Sequence, residues 1–506
     1  MLRPWDLNFT ITREINVAIH EQIAQKIIEE IQVGRFSPGD ALPGTRELAS
    51  KINVNRKTVV QAYDELIAQG WLTTESKRGT FVSSRIIIVN SNPASLNHIT
   101  NKFSSSRVST TVKLTQSKRQ LHDCIHFCDG LPDARLTPFE MLSRATRHAI
   151  IVATRQYKKS YMENKGAQIL REALSAMLNM ERGLHSDADN ICVARSSQMA
   201  IFIVAKVLVA PGDCIVLERL GSPLVRETFI NCGATILNVD HDYDGICVES
   251  LEQLCVARQK MNLKIKAVYV TPNHQIPTTV TMSTARRAIL LALADQYDFL
   301  IIENDQDYEF NFISEPILPI ASMKNSKRVI YIGAVAKVLT SGFQLGYIVA
   351  DESVINACAY QSSLIDPHDN QIAELAVAEL LFMGEIKKHR LRTHIIYEER
   401  RKHLANLLMS ELGEFSSFNL ADCGLAFWVQ LNNSININNL VKSADAHQVK
   451  FQLGDNFASH VQNIPFIRLG FSSLNDKEMA LGIKRLKNVF LDQNVSLETP
   501  QMSVRH

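Results

Sequence analysis

The chain has 506 residues, 46% of them apolar and 21% charged, with a formal net charge of +2. That length exceeds what one ordinary core serves, so two or three domains are expected, with the composition of a soluble globular protein. No apolar run is long enough to cross a bilayer: the best candidate, residues 200–210, is broken by Lys206 and reads as a buried helix. A start carrying Arg3, Asp6 and Glu14 is not a secretion signal, and nine sparse, irregularly spaced cysteines fit a reducing compartment, so a cytoplasmic location is expected. The small net charge is uneven. Residues 1–85 carry +1, residues 86–124 carry +4 and the remainder −3.

In chain order, Ile15, Ile19, Ile23, Ile27, Ile28 and Ile31 recur at helical spacing over 14–33, and Gly34 stops the helix. Pro38-Gly39-Asp40 is a turn. A short helix is predicted over 45–51 with Thr45 as N-cap, then a tight break at Asn53-Val54, then a helix capped by Asn55 and stopped by Gly70. Two extended segments, 71–74 and 80–83, flank a charged turn at Ser76-Lys77-Arg78-Gly79. Helix, helix, turn, helix and hairpin is the order of a winged helix-turn-helix, whose second motif helix lies in the major groove of DNA. Its first turn offers Asn55, Arg56, Lys57 and Thr58, with Gln61 one turn on. Arginine pairs with guanine and Asn or Gln with adenine, while Lys and Thr suit phosphates. Val59, Ala62, Tyr63 and Leu66 form the opposite, apolar stripe.

This stretch resembles the GntR family of winged-helix regulators. The matching residues run Gly34-Arg35-Phe36-Ser37-Pro38-Gly39, Leu42-Pro43-Gly44-Thr45-Arg46-Glu47-Leu48-Ala49, Val54-Asn55-Arg56-Lys57-Thr58-Val59, Ala62-Tyr63-Asp64-Glu65-Leu66, Gly70-Trp71-Leu72 and Arg78-Gly79-Thr80-Phe81-Val82. The resemblance implies that Arg46, Asn55, Arg56, Lys57, Thr58 and the wing tip Arg78-Gly79 touch double-stranded DNA. The head is therefore assigned to 1–83. Residues 84–124, rich in Ser, Thr, Asn and basic side chains, read as a flexible linker. Within it and just beyond, His122, Cys124, His126 and Cys128 alternate as along a strand. Spread over roughly 20 Å, four such donors cannot meet at one metal ion, so no metal site is assigned.

From Ile125 to about 498, helical stretches alternate with strand-like runs at 213–218, 235–239, 267–271, 299–303, 329–332 and 345–349, the pattern of an α/β domain with a mostly parallel sheet. Gly130-Leu131-Pro132-Asp133, Tyr161 with Gly166, Ser197-Gln198, Pro211-Gly212-Asp213 with Glu218, Thr271-Pro272-Asn273-His274-Gln275 with Pro277, Glu303-Asn304-Asp305-Gln306-Asp307, Tyr331-Ile332-Gly333 with Lys337, Leu345-Gly346-Tyr347 and Arg468-Leu469-Gly470-Phe471 follow one another as in the MocR subfamily. The bodies of that subfamily resemble pyridoxal-phosphate-dependent transferases of fold type I. The resemblance implies a large subdomain at about 165–385, a C-terminal α+β subdomain at about 386–490, and a head-to-tail homodimer. It makes Lys337 the lysine that bonds the cofactor aldehyde. Ser197 and Gln198 become the phosphate site, His274 and Tyr161 cofactor neighbours, and Arg468 the clamp for the carboxylate of an amino-compound effector.

Several positions depart from that pattern. Asn304 replaces the aspartate that pairs with the pyridine nitrogen, and Gln306 the nearby tyrosine. Ser222 falls where a stacking aromatic is expected, Ala334 and Ala336 replace two serines, and Gln344 replaces a phosphate-binding arginine. Side-chain alternation points Asp305 away from the site, so it does not stand in for the missing carboxylate. The reading that results is a DNA-binding transcription regulator whose aminotransferase-like body dimerises and senses pyridoxal phosphate or an effector. A working aminotransferase with an appended head, and a cofactor-free dimeric regulator, stand as alternatives.

Overall fold

The computed structural model describes residues 11, 17–76, 78–84, 124–128, 130–156, 164–305, 307–313, 316–335, 337, 339, 343–366, 370–432, 435–459 and 462–498. The chain divides into two compact units, Met1–Gln116 and Ser117–His506. The expected linker falls almost wholly outside the described residues.

The first unit comprises α1 (Ile19–Gln32), α2 (Thr45–Lys51), α3 (Arg56–Ala68) and a hairpin of β1 (Leu72–Glu75) and β2 (Gly79–Val82). The isoleucines spaced along α1 do what their period requires. Ile23, Ile27 and Ile31 are fully buried against Leu48 of α2, Val59, Ala62 and Leu66 of α3, and Leu72 and Val82 of the hairpin. Tyr63 reaches across to donate its hydroxyl to the Pro43 carbonyl at 2.9 Å, satisfying a polar group the core would otherwise strand. Asn53, at φ 52°, makes the tight break between α2 and α3, and Gly70, at φ 81°, ends α3. One expectation fails. Thr45 is the first residue of α2 and not its cap; Gly44 holds that place and supplies no side-chain bond. The segment before α2 joins the wing, with Gly39 N–H donating to Val82 O and Leu42 N–H to Thr80 O, each at 2.9 Å.

The second unit begins with β3 (Ile125–His126), α4 (Phe139–Gln156) and α5 (Gln168–Arg182), then β4 (Ile191–Ala194), α6 (Ser197–Leu208), β5 (Cys214–Glu218), α7 (Pro223–Asn231), β6 (Thr235–Val239), β7 (His241–Asp242), β8 (Gly245–Ile246), α8 (Val248–Lys260), β9 (Ile265–Val270), α9 (Thr284–Tyr297), β10 (Leu300–Asn304), β11 (Val329–Val335) and β12 (Leu345–Val349). Three helices follow, α10 (Glu352–Ile365), α11 (Gln371–Phe382) and α12 (Glu385–Leu412), and then β13 (Ser416–Phe418), β14 (Ala426–Leu431), α13 (Ile437–Ala446), β15 (Val449–Lys450), β16 (Gln452–Leu453), β17 (Phe466–Gly470) and α14 (Asp476–Glu498). A seven-stranded sheet has the order β4-β12-β11-β10-β9-β5-β6, with β12 alone antiparallel to its neighbours. The six strand-like runs anticipated above all lie in it.

Both faces of this sheet are covered, which is why its strands read as apolar runs. Ile302, Ile332 and Ile348 pack with Ile201 and Val204 of α6 on one face. Ile301, Val268 and Phe299 pack with Leu251 of α8 and Leu290 of α9 on the other, beside Tyr331, Tyr347 and Leu174 of α5. A second, four-stranded sheet, β13-β14-β17-β16, carries the C-terminal part of the chain. The stretch holding His126 is a two-residue strand paired in parallel with β15 of that part, and Cys124 and Cys128, neither in a disulfide, flank it.

Ile27 lies at the centre of a head whose core is small. Ile27→Ala should cost about 2–5 kcal/mol. In the full chain, hydrogen exchange should quicken at amides of α1–α3 and stay unchanged in the seven-stranded sheet.

Candidate functional site

In the head, Asn55 caps α3 by accepting a hydrogen bond from Lys57 N–H at 2.9 Å. This fixes the start of the helix and leaves Asn55, Arg56, Lys57 and Gln61 exposed, with Thr58 half-buried. Arg46 is exposed on α2, and Arg56 Nε lies 3.4 Å from Thr45 Oγ1. At the wing, Arg78 pairs with Glu75 at 2.6 Å, lies over the Phe81 ring and remains 72% exposed, next to Gly79 at φ 123°. One end of α3 is thus polar and open while its flank is buried.

In the body, the sequence-predicted residues gather at the C-terminal ends of the parallel strands, the edge where open α/β sheets bind ligands. Ser197 is the first residue of α6, directly after β4, and Ser196 caps that helix by accepting from Met199 N–H at 3.1 Å. Gly346 of β12 lies flush against this start: a Cβ there would stand 2.2 Å from Ser196 O, so only glycine lets strand and helix meet. Asn304 is the last residue of β10, Lys337 follows β11, and His274 and Gln275 follow β9. Arg468 comes from β17 of the second sheet, and Gly130 sits against its guanidinium.

Lys337 Nζ forms a buried ion pair with Asp307 and lies 5.9 Å from the centre of the Phe310 ring. His274 is 2% exposed, and neither ring nitrogen has a hydrogen-bond partner. Burial drives its pKa down to about 4 against the pull of Asp307, with Arg468 and Lys337 pushing the same way as burial, so the imidazole is neutral at pH 7. Gly424 backs the ring so closely that no Cβ fits. Lys337, Asp307, His274 and Arg468 thus form one electrostatic cluster.

Other assignments fare differently. The Gln198 amide donates to Thr228 Oγ1 at 2.8 Å and is engaged with α7. Asn304 Nδ2 donates to Tyr269 Oη at 2.7 Å, leaving Oδ1 buried without a partner. Tyr161, Gln306 and Ala336 lie outside the described residues. Ser222 is the N-cap residue of α7 and lines a cleft of about 360 Å³, mouth included, with Leu220, Val225, Tyr269, Ile276 and Glu218. Asp305 faces the opposite side of the sheet from Asn304, bonded by Arg182 Nε at 2.9 Å and Tyr331 Oη at 2.6 Å. Sequence reasoning gave Asp307 and Glu218 no role. Spacing alone carried no signal for Asp307, since only the folded turn after β10 brings it to Lys337.

Residues 19–82 match the bacterial regulatory proteins of the gntR family, and residues 123–486 match aminotransferase class I and II. The chain belongs to the class I and II aminotransferase family. Its head is a gntR-family helix-turn-helix domain. The chain is similar over 484 residues, at 25% identity and 95% of both lengths, to the probable rhizopine catabolism regulatory protein MocR of Rhizobium meliloti. It is similar at 25% identity, over 93% of this chain and 96% of the other, to the HTH-type transcriptional regulator TauR of Rhodobacter capsulatus. Among solved structures, the kynurenine aminotransferase of Pyrococcus horikoshii superposes with a TM-score of 0.67 at 27% identity, covering 73% of this chain and 91% of that one.

The class I and II fold implies pyridoxal phosphate, and the donor set fits it at one end of the ring better than at the other. A buried lysine amine and the start of α6 suit an aldehyde and a phosphate. At the ring nitrogen, the Asn304 amide with its unpartnered oxygen offers a neutral hydrogen bond and no counter-charge.

Burial pushes the carboxyls of Glu218, Glu303 and Glu309 up to about 8, 7 and 7. Each folded-state value exceeds the unfolded one near 4.5, so the native state binds more protons across this window and stability falls as pH rises. The His274 shift acts oppositely, but only between about pH 6.5 and 4. The melting temperature should therefore decline from pH 6 to 8, and Glu218→Gln should flatten that decline. A melting curve independent of pH over that range would contradict the assignment.

Proposed function

We propose that this protein is a cytoplasmic DNA-binding transcription regulator whose class I and II aminotransferase body works as a dimerisation and ligand-sensing module. The observation that carries this is the first turn of α3: a capped helix start with Asn55, Arg56 and Lys57 open to a partner, backed by the buried stripe of Val59, Ala62, Tyr63 and Leu66. Such a helix presents base-reading side chains at one end and is fixed by packing at its flank. Arg46, Thr58, Gln61 and the wing tip at Arg78-Gly79 add phosphate and groove contacts. The near-full-length similarity to a regulatory protein and to an HTH-type transcriptional regulator supports the same reading.

The body takes pyridoxal phosphate through Lys337, with the α6 start at Ser197-Gln198 meeting the phosphate and His274 and Asn304 around the ring; the family resemblance adds Gln306 and Tyr161 to that set. When bound, this cofactor supplies an aldehyde to an amine and a ring able to take up charge. Arg468 meets the carboxylate of an amino-compound effector. Because Asn304 supplies no charge to the ring nitrogen, the site is suited to holding such a compound rather than transferring its amino group. Two copies associate head-to-tail. Large apolar side chains left open on α4, α10 and α11 support a protein-covered surface there: Phe139 is 69% exposed, Tyr360 61%, Leu364 63% and Phe382 60%. An effector changes DNA binding only by favouring one state of the dimer over the other.

Arg56→Ala should weaken binding to a specific duplex by about 1–3 kcal/mol and relax base preference at one position; unchanged affinity and preference would remove Arg56 as a base reader. Purified protein mixed with pyridoxal phosphate should gain an absorbance band that Lys337→Ala loses, with no amino-group transfer to a keto acid. Turnover by the wild type would favour the enzyme reading. A monomer in sedimentation at micromolar concentration would sink the dimer.

A further inference from the structure

The Asp307 carboxylate faces the one amine in the body that the family pattern singles out, and its setting is unusual in three respects. It is deeply buried, with its side chain 6% exposed and that of Lys337 11%. Its backbone is left-handed, at φ 75° and ψ 3°, a region that favours glycine and that aspartate tolerates. And that backbone is pinned: its carbonyl accepts Phe310 N–H at 2.9 Å and the Cys423 thiol at 3.3 Å. A non-glycine residue locked in that conformation inside a site is a place where structure around it, and not its own preference, dictates where its side chain goes.

The titratable and charged groups around the pair come from four elements. His274 approaches from the segment after β9, Glu309 from the turn after β10, Arg468 from β17 and Cys423 from the loop before β14. Burial pushes the Asp307 carboxyl up, but Lys337, His274 and Arg468 together outweigh it and hold the group below the usual carboxylate range. The carboxyl is therefore ionised at pH 7, and the group it pairs with is the Lys337 amine.

We propose that Asp307 is a positioning residue that holds the Lys337 amine in a buried ion pair, so that release of this pair sets how fast Lys337 bonds to an aldehyde. The inference rests on the reading that Lys337 takes an aldehyde cofactor. An ammonium has no lone pair, so Lys337 must first pass one proton to Asp307 or to solvent. The neutral nitrogen then bonds to the aldehyde carbon, and the aldehyde oxygen leaves as water with the two remaining amine hydrogens. Separating the pair leaves a buried carboxylate uncompensated, which is costly. Capture is consequently slow until the proton is lost, and Asp307 acts as a latch on the amine.

The test mixes intact protein with pyridoxal phosphate and follows the rate of absorbance change from pH 6 to 9 for wild type, Asp307→Asn and Asp307→Glu. In Asp307→Asn, which lacks the pair, capture at pH 7 should be roughly tenfold faster than in the wild type, because no ion pair has to be released first. Asp307→Glu, which keeps the charge, should follow the wild type. Superimposable rates for wild type and Asp307→Asn across the range would overturn the proposal, as would a folded Asp307→Asn protein that captures nothing. If Asp307→Asn fails to fold, Asp307→Ser read over the same range decides in the same way. If the wild type captures no pyridoxal phosphate while still binding DNA, the cofactor reading fails and takes this inference with it.

Discussion

The alternation of side chains at the end of β10 governs what this body can do. Ile302 and Asn304 share one face of the seven-stranded sheet, and Ile301 and Asp305 the other. A strand offers no intermediate choice: a carboxylate one position along is not a carboxylate nearby but one on the wrong side. Asp305 is further committed there by Arg182 and Tyr331, a buried set whose disruption would leave charges unpaired on both sides. On the proposed function, that single amide in place of an acid is what suits the site to holding an amino compound rather than transferring its amino group.

Around the same site, packing alone fixes much of the frame. Gly346 still lets β12 lie against the start of α6, and Gly424 and Gly130 still give way to His274 and Arg468. These are requirements of packing, and they hold whether or not a ring is ever bound. The polar groups there pair with one another, Lys337 with Asp307, Gln198 with Thr228, Asn304 with Tyr269 and Gln275 with Glu218.

Much of this was legible in the residues alone. The head could be read element by element because its helices obey a 3.6-residue period and its breaks fall at Asn53 and Gly70, where the backbone turns left-handed. The sheet was legible because strands buried on both faces read as continuous apolar runs, as 329–332 and 345–349 do. What stayed hidden was whatever depends on contact between distant segments. The role of Asp307 needs the turn after β10 to meet the residues after β11. The engagement of Gln198 with Thr228 needs α6 beside α7, and the neutrality of Glu218 needs the depth of the fold around it. Thr45 misled because a threonine before an apolar run looks like a cap, whereas here Gly44 occupies that position and the threonine is already helical.

The short strand β3 is tied to the C-terminal part of the body twice over. Ile125–His126 lines up with Val449–Lys450, next to the small sheet and not the large one. Gly470 of β17 also donates its N–H to the Phe127 carbonyl at 2.7 Å. Residues 125–127 are thereby fastened to the strand that contributes Arg468, so a displacement of that strand carries them with it directly, with no relay through the seven-stranded sheet.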